Sequence, residues 1–117
     1  MLNFTGGLKI FVALDACDMR AGACTLQGLV AERLKDNLRD GALFVFTNKR
    51  RTVLKMLYWD GTGTWVLTKK LAAGTFSWPA PAQAGQIKLS LTPEGLALLA
   101  GGVDLRGARL RPWYERE

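Results

Sequence analysis

A chain of 117 residues with no histidine, two cysteines and a formal charge of +6 is already restricted in what it can do. The length suits one domain with its own core; lack of histidine excludes Ser-His-Asp and Cys-His catalysis and His-bearing zinc sites, and Cys17 and Cys24 cannot form a four-thiolate site by themselves. Sixteen Lys and Arg against ten Asp and Glu favour a polyanionic partner, nucleic acid before anionic membrane, over the plainer reading of a soluble domain that is merely basic.

The apolar run Ile10 to Leu14 is too short for a signal peptide, and no stretch approaches a membrane helix. The cysteines do not make a disulfide framework. These features lead us to expect a cytoplasmic protein with reduced thiols and no membrane contact.

In chain order, Lys9 to Leu14 reads as a short strand, followed by a polar connection at Asp15–Asp18. From about Thr25 to Leu38 the apolar residues Leu26, Leu29, Val30, Leu34 and Leu38 fall at helical spacing, with Glu32, Arg33, Lys35, Asp36 and Arg39 mostly off the stripe. Thr25 is placed to cap this helix and Gly41 to stop it. Ala42 to Thr47 is apolar enough for a central strand. Lys49-Arg50-Arg51 forms a turn tip, Thr52 to Trp59 a further strand, and Asp60-Gly61 a hairpin signal before Thr64 to Leu71. Thr75 to Trp78 reads as the fourth strand of this run, ended by Pro79 and Pro81. Connections this short force antiparallel neighbours. Gln86 to Leu91 alternates like one more strand. Thr92-Pro93 then opens a short helix that Gly101-Gly102 closes. The expected fold is α+β: a single domain over 1–117, an antiparallel β-meander packed by one main amphipathic helix, with a short C-terminal helix. Residues 103–117 form a basic tail, loosely ordered or docked by Trp113 and Tyr114.

The densest chemical signal is charge. Between Lys49 and Lys70 there are six basic residues and one acid, Asp60. A meander brings the turn Lys49, Arg50, Arg51 and the strand end Lys69, Lys70 to one rim of the sheet, with Lys55 on the intervening strand. Cations so arranged neutralise phosphates and release counterions. Arg106, Arg109 and Arg111 extend the basic set into the tail. Tyr58, Trp59 and Trp65 are candidates for stacking on bases, against their ordinary use in cross-strand packing. Asp18, Arg20, Lys55 and Asp60 are the residues from which a metal-dependent nuclease would have to be built. Turn chemistry explains both aspartates, however. No phosphate-binding glycine loop is present. We read no catalytic residue, no metal site and no cofactor.

Three stretches carry a more specific likeness. They are Asp18-Met19-Arg20 with Gly22; Leu43-Phe44-Val45-Phe46, Asn48-Lys49-Arg50-Arg51 and Leu54-Lys55-Met56-Leu57-Tyr58-Trp59-Asp60-Gly61; and Lys69-Lys70-Leu71 followed by Phe76-Ser77-Trp78-Pro79. Together with Leu91-Thr92-Pro93, in this order and spacing, they resemble the small TnpB-type accessory protein of the IS-sixty-six class of bacterial insertion sequences. The sequence departs from that pattern at Ala21, Ala23, Cys24 and Ala72. The resemblance implies a non-catalytic accessory factor in the transposition of a mobile genetic element, with the strand-transfer chemistry left to a separate transposase. Its implied partners are DNA and the transposase, or another protein of the same element. The alternative is a protein–protein adaptor that grips such a partner with little DNA contact.

Overall fold

The computed structural model describes residues 8–18, 20 and 22–101. Its elements are β1 (Ile10–Ala13), α1 (Ala23–Glu32), a 3-10 turn (Leu38–Asp40), β2 (Leu43–Thr47), β3 (Val53–Trp59), β4 (Thr64–Lys70), β5 (Lys88–Leu91) and α2 (Pro93–Ala100). One five-stranded sheet runs in the order β4-β3-β2-β1-β5. The expected α+β class and the antiparallel meander hold over β2, β3 and β4. At β1 the sheet becomes mixed: β1 lies parallel to β2, reached through α1, and β5 pairs antiparallel with β1. A parallel neighbour requires such a crossover, and the segment from Leu14 to Ala42 is long enough to supply it.

β2 sits at the centre and is buried along its whole length. Alternation divides its side chains. Leu43 and Val45 face a cluster with Ile10, Val12, Leu54, Phe76, Trp78, Leu96 and Leu99. Phe44 and Phe46 face the other, with Leu26, Val30, Leu34, Leu38 and Leu57. The sheet therefore lies between α1 on one face and α2 with the 75–78 segment on the other. Each fully buried side chain of this kind contributes roughly 1.5–3 kcal/mol.

Two local expectations are corrected. The helix expected over 25–38 spans Ala23–Glu32 and begins at Gly22, with Thr25 inside it as an exposed residue. Lys35 takes a left-handed conformation (φ 57°) that ends helical backbone. Asn37 then starts the 3-10 turn by accepting from the Arg39 N–H at 3.0 Å, and Gly41 (φ 92°) closes that turn rather than α1. Leu34 and Leu38 still reach the α1-side core, so the apolar spacing was genuine although the backbone carrying it is not one helix.

The second correction concerns Thr75 to Trp78, which pairs with no strand. Gly74 (φ 75°) turns the chain away from β4. The segment is held instead by the Phe76 N–H donating to the Arg51 carbonyl at 2.7 Å and by Trp78 Nε1 donating to the Ala13 carbonyl at 2.9 Å. Phe76 and Trp78 are buried beneath the sheet, and β4 is left as an edge strand.

Candidate nucleic-acid interface

The turn between β2 and β3 is built by one side chain. Asn48 Oδ1 accepts from the backbone N–H groups of Thr52 (2.9 Å) and Val53 (3.2 Å), and its Nδ2 donates to Thr52 Oγ1 at 3.1 Å. The Arg51 N–H donates to the Asn48 carbonyl at 3.0 Å, and Arg51 sits at φ 57°. Lys49, Arg50 and Arg51 are thereby presented on a pinned, exposed loop. Register brings Lys70 to the same end, opposite Val53, as expected for a hairpin that returns.

Alternation sorts the remaining residues. Val53, Lys55, Thr68 and Lys70 project toward the α1 face, and with the turn they line an open groove of about 1030 Å³. Its other wall comes from Ala16, Cys17, Asp18 and Arg20 ahead of α1, and from Thr25, Leu29 and Arg33 at four-residue spacing along one side of that helix. Thr47 ties the walls together: its Oγ1 donates to the Val53 carbonyl at 2.8 Å, and its own carbonyl accepts from the Cys17 N–H at 2.9 Å.

The groove's charge is lopsided. Among the described residues that line it, Arg20, Arg33, Lys49, Arg50, Lys55 and Lys70 face one acid, Asp18. That acid is already neutralised: Arg20 donates to it from Nε at 3.1 Å and Nη2 at 2.7 Å, and from its backbone N–H at 2.9 Å. These bonds hold the Asp18 carboxyl down to about 2. Arg33, Lys49, Arg50 and Lys70 make no ion pair among the described residues. Burial pushes the Cys17 thiol up, while the charges of Arg33 and Lys55 draw it the other way.

Several candidate residues lie elsewhere. Lys69 points to the α2 face, where its Nζ donates to the Ala100 carbonyl at 2.8 Å. Arg51 is exposed at the turn but does not line the groove. Tyr58 and Trp65 are cross-strand partners on the α2 face. Trp59 lies on the α1 face at the far end of β3, with the Arg39 guanidinium 4.4 Å over its ring. Arg106, Arg109 and Arg111 lie outside the described residues. Arg33 lies off the apolar stripe of α1, and nothing in local periodicity announces that it overhangs β3.

Of the four residues of the nuclease constellation, Asp18, Arg20 and Lys55 share the groove but Asp60 does not join them. Asp60 is at the opposite end of the hairpin from Asp18 and Arg20. There its Oδ1 accepts from Thr62 N–H and Oγ1 and from Gly63 N–H, and its Oδ2 from Trp65 Nε1 at 2.7 Å. Among the described residues no group of three His, Cys, Asp or Glu side chains is placed to hold a metal ion, and no helix is long and apolar enough to cross a membrane.

The chain as a whole, hairpin and groove included, is similar to known sequences. The family described as IS66 Orf2 like protein matches residues 8–109. The chain belongs to that family. Two similar proteins of Sinorhizobium fredii (strain NBRC 101917 / NGR234) extend the likeness. The uncharacterized protein y4hO is 39% identical over 106 residues, covering 91% of this chain and 90% of that one. The uncharacterized protein y4jC is 37% identical over 112 residues, covering 96% and 93%. No solved structure matches the chain significantly. The IS66 Orf2-like chain is thus a TnpB-type accessory protein with a role in insertion-sequence transposition.

Proposed function

We propose that this IS66 Orf2-like protein is a non-catalytic, cytoplasmic accessory factor that holds DNA by its phosphates in the groove between α1 and the β3–β4 hairpin. The observation that carries this reading is the convergence of Arg20, Arg33, Lys49, Arg50, Lys55 and Lys70 around one concavity whose one acid among the described residues is spent on Arg20. Cations gathered at this density on one surface repel one another and gain from a polyanion. Among the described residues no aromatic ring lines the groove, so the contacts supported are to backbone rather than bases. The protein's further partner is the transposase or another protein of the same element.

The test is a titration of duplex DNA across salt concentrations. If about four cations meet phosphates, log affinity should fall against log salt with a slope of roughly −3 to −4. Lys49→Ala/Arg50→Ala/Lys70→Ala should flatten the slope and weaken all sequences alike. A triple variant that binds DNA as the parent does, yet loses a transposase in pull-down, would replace this reading with the adaptor. Incubation with Mg²⁺ or Mn²⁺ should leave the DNA uncut; cleavage abolished by Asp18→Asn in a folded protein would make it an enzyme.

A further inference from the structure

We propose that two copies of this chain join through their β4 strands, antiparallel and about a two-fold axis at Leu67, to make one continuous sheet. Because the chain turns away after Gly74, no described backbone pairs with the outer side of β4. The hydrogen-bonding phase of that edge can be read directly. The Asp60 N–H donates to the Gly63 carbonyl and the Leu71 N–H to the Thr52 carbonyl. With the observed register these bonds make Leu54–Lys69, Met56–Leu67 and Tyr58–Trp65 the hydrogen-bonded pairs of β3 and β4. Thr64, Val66, Thr68 and Lys70 therefore aim their N–H and C=O groups outward.

An antiparallel second copy meets these groups in phase when Val66 faces Thr68 of the other chain and Thr64 faces Lys70. This is also the register that pairs the whole of β4. It sets Leu67 against its own copy at a non-hydrogen-bonded position, where side chains approach most closely.

Charge selects the same arrangement. Lysines on an edge ordinarily discourage pairing, and parallel pairing would stack Lys69 and Lys70 on their copies. Antiparallel pairing carries them to the opposite end, with Lys69 beside Trp65 of the second copy on the α2 face. That indole is 40% exposed and holds the Asp60 carboxylate on its Nε1. Lysine thus meets an aromatic ring and an anion together.

The axis stands perpendicular to the sheet, so both α1 faces share one side, and both grooves, each edged by Thr68 and Lys70, open on it. Their use as a joint DNA surface rests on the reading above; the dimer does not.

The test is sedimentation of the full chain, without DNA, over a dilution series. A concentration-dependent dimer is expected. Val66→Pro removes one outward N–H and no β3–β4 bond, and should raise the dimer Kd roughly tenfold or more. Because that variant has its own folding risk, Leu67→Cys in a Cys17→Ser/Cys24→Ser background provides a second reading. It should form a disulfide dimer under mild oxidation, since opposed Cβ atoms lie about 4.5–5.5 Å apart. Thr64→Cys in the same background should not, its copy being about 20 Å away along the strands. A monomer at every concentration, a dimer indifferent to Val66→Pro, or equal cross-linking at 64 and 67 would overturn the proposal. A dimer with no salt-dependent DNA affinity would leave it standing and remove the groove's role instead.

Discussion

Lys69 and Lys70 are consecutive in β4 yet serve opposite faces of the sheet: Lys69 Nζ donates to the Ala100 carbonyl at the end of α2, while Lys70 lines the groove beneath α1. The two-residue period of a strand leaves no other outcome.

This division yields the first prediction. Lys70→Ala should weaken DNA binding and lower the salt slope by about one, with stability almost unchanged. Lys69→Ala should leave DNA affinity near the parent's and cost up to about 1 kcal/mol in denaturant unfolding, through loss of a cation from a helix C-terminus. Equal effects on DNA would contradict the face assignment.

Asn48→Ala should be the costliest exposed-loop substitution. Two backbone N–H groups lose their acceptor at once, so about 1–3 kcal/mol of unfolding free energy should disappear. DNA affinity should fall with it, because Lys49 and Arg50 would no longer be held in place. Urea unfolding and DNA titration on the same preparation check both halves.

Trp78→Phe isolates the indole bond to the Ala13 carbonyl. The ring volume is largely kept and the buried acceptor is orphaned, at a cost of about 1–3 kcal/mol. Trp78→Ala should cost more, roughly 3–5 kcal/mol, by leaving a cavity. A Trp78→Phe variant as stable as the parent would mean the hydrogen bond carries nothing; equal losses in the two variants would mean the ring's bulk adds nothing beyond that bond.

The pH dependence has a definite sign. Asp18 and Asp60 both have folded-state pKa values below the ordinary carboxylate value, Asp18 through its Arg20 bonds and Asp60 first through the Thr62 N–H. Their contribution is present above about pH 4. It is lost on acidification, with Asp18 titrating at about 2 and Asp60 lower still. Thermal melts of Asp18→Asn and Asp60→Asn should therefore differ from the parent at pH 6 and converge on it in acid. Both groups are exposed, so the differences will be small.

Much of the fold was legible because local rules agree over residues 42–71. The fully apolar run Leu43 to Phe46, the Asp60-Gly61 turn and the antiparallel return all follow from short-range chemistry. Leu26, Leu29, Val30 and Leu34 announced their packing face correctly; Leu34→Ala, at 3% exposure, should cost about 2–5 kcal/mol and half-buried Leu29→Ala less. What stayed hidden depends on distant partners. Phe76 and Trp78 alternate as a strand would, yet their anchors are Arg51 and Ala13, far away in sequence. The parallel β1–β2 pairing leaves no mark on either strand. For the same reason half of the groove was visible: Lys49, Arg50, Lys55 and Lys70 belong to one hairpin, whereas Arg33 reaches it only because a crossover lays α1 over β3.

Thr47 has a kinetic consequence. Its hydroxyl and carbonyl bond the β3 wall and the Cys17 wall at the same time, so the width of the groove is set before any ligand arrives. An anion entering it meets β3 and the Cys17 backbone already joined through Thr47. Capture should then be governed by collision and long-range attraction, with ionic strength acting mainly on the association rate rather than on residence time. Thr47→Val, which keeps the shape and severs the hydroxyl bond, should slow association at constant salt.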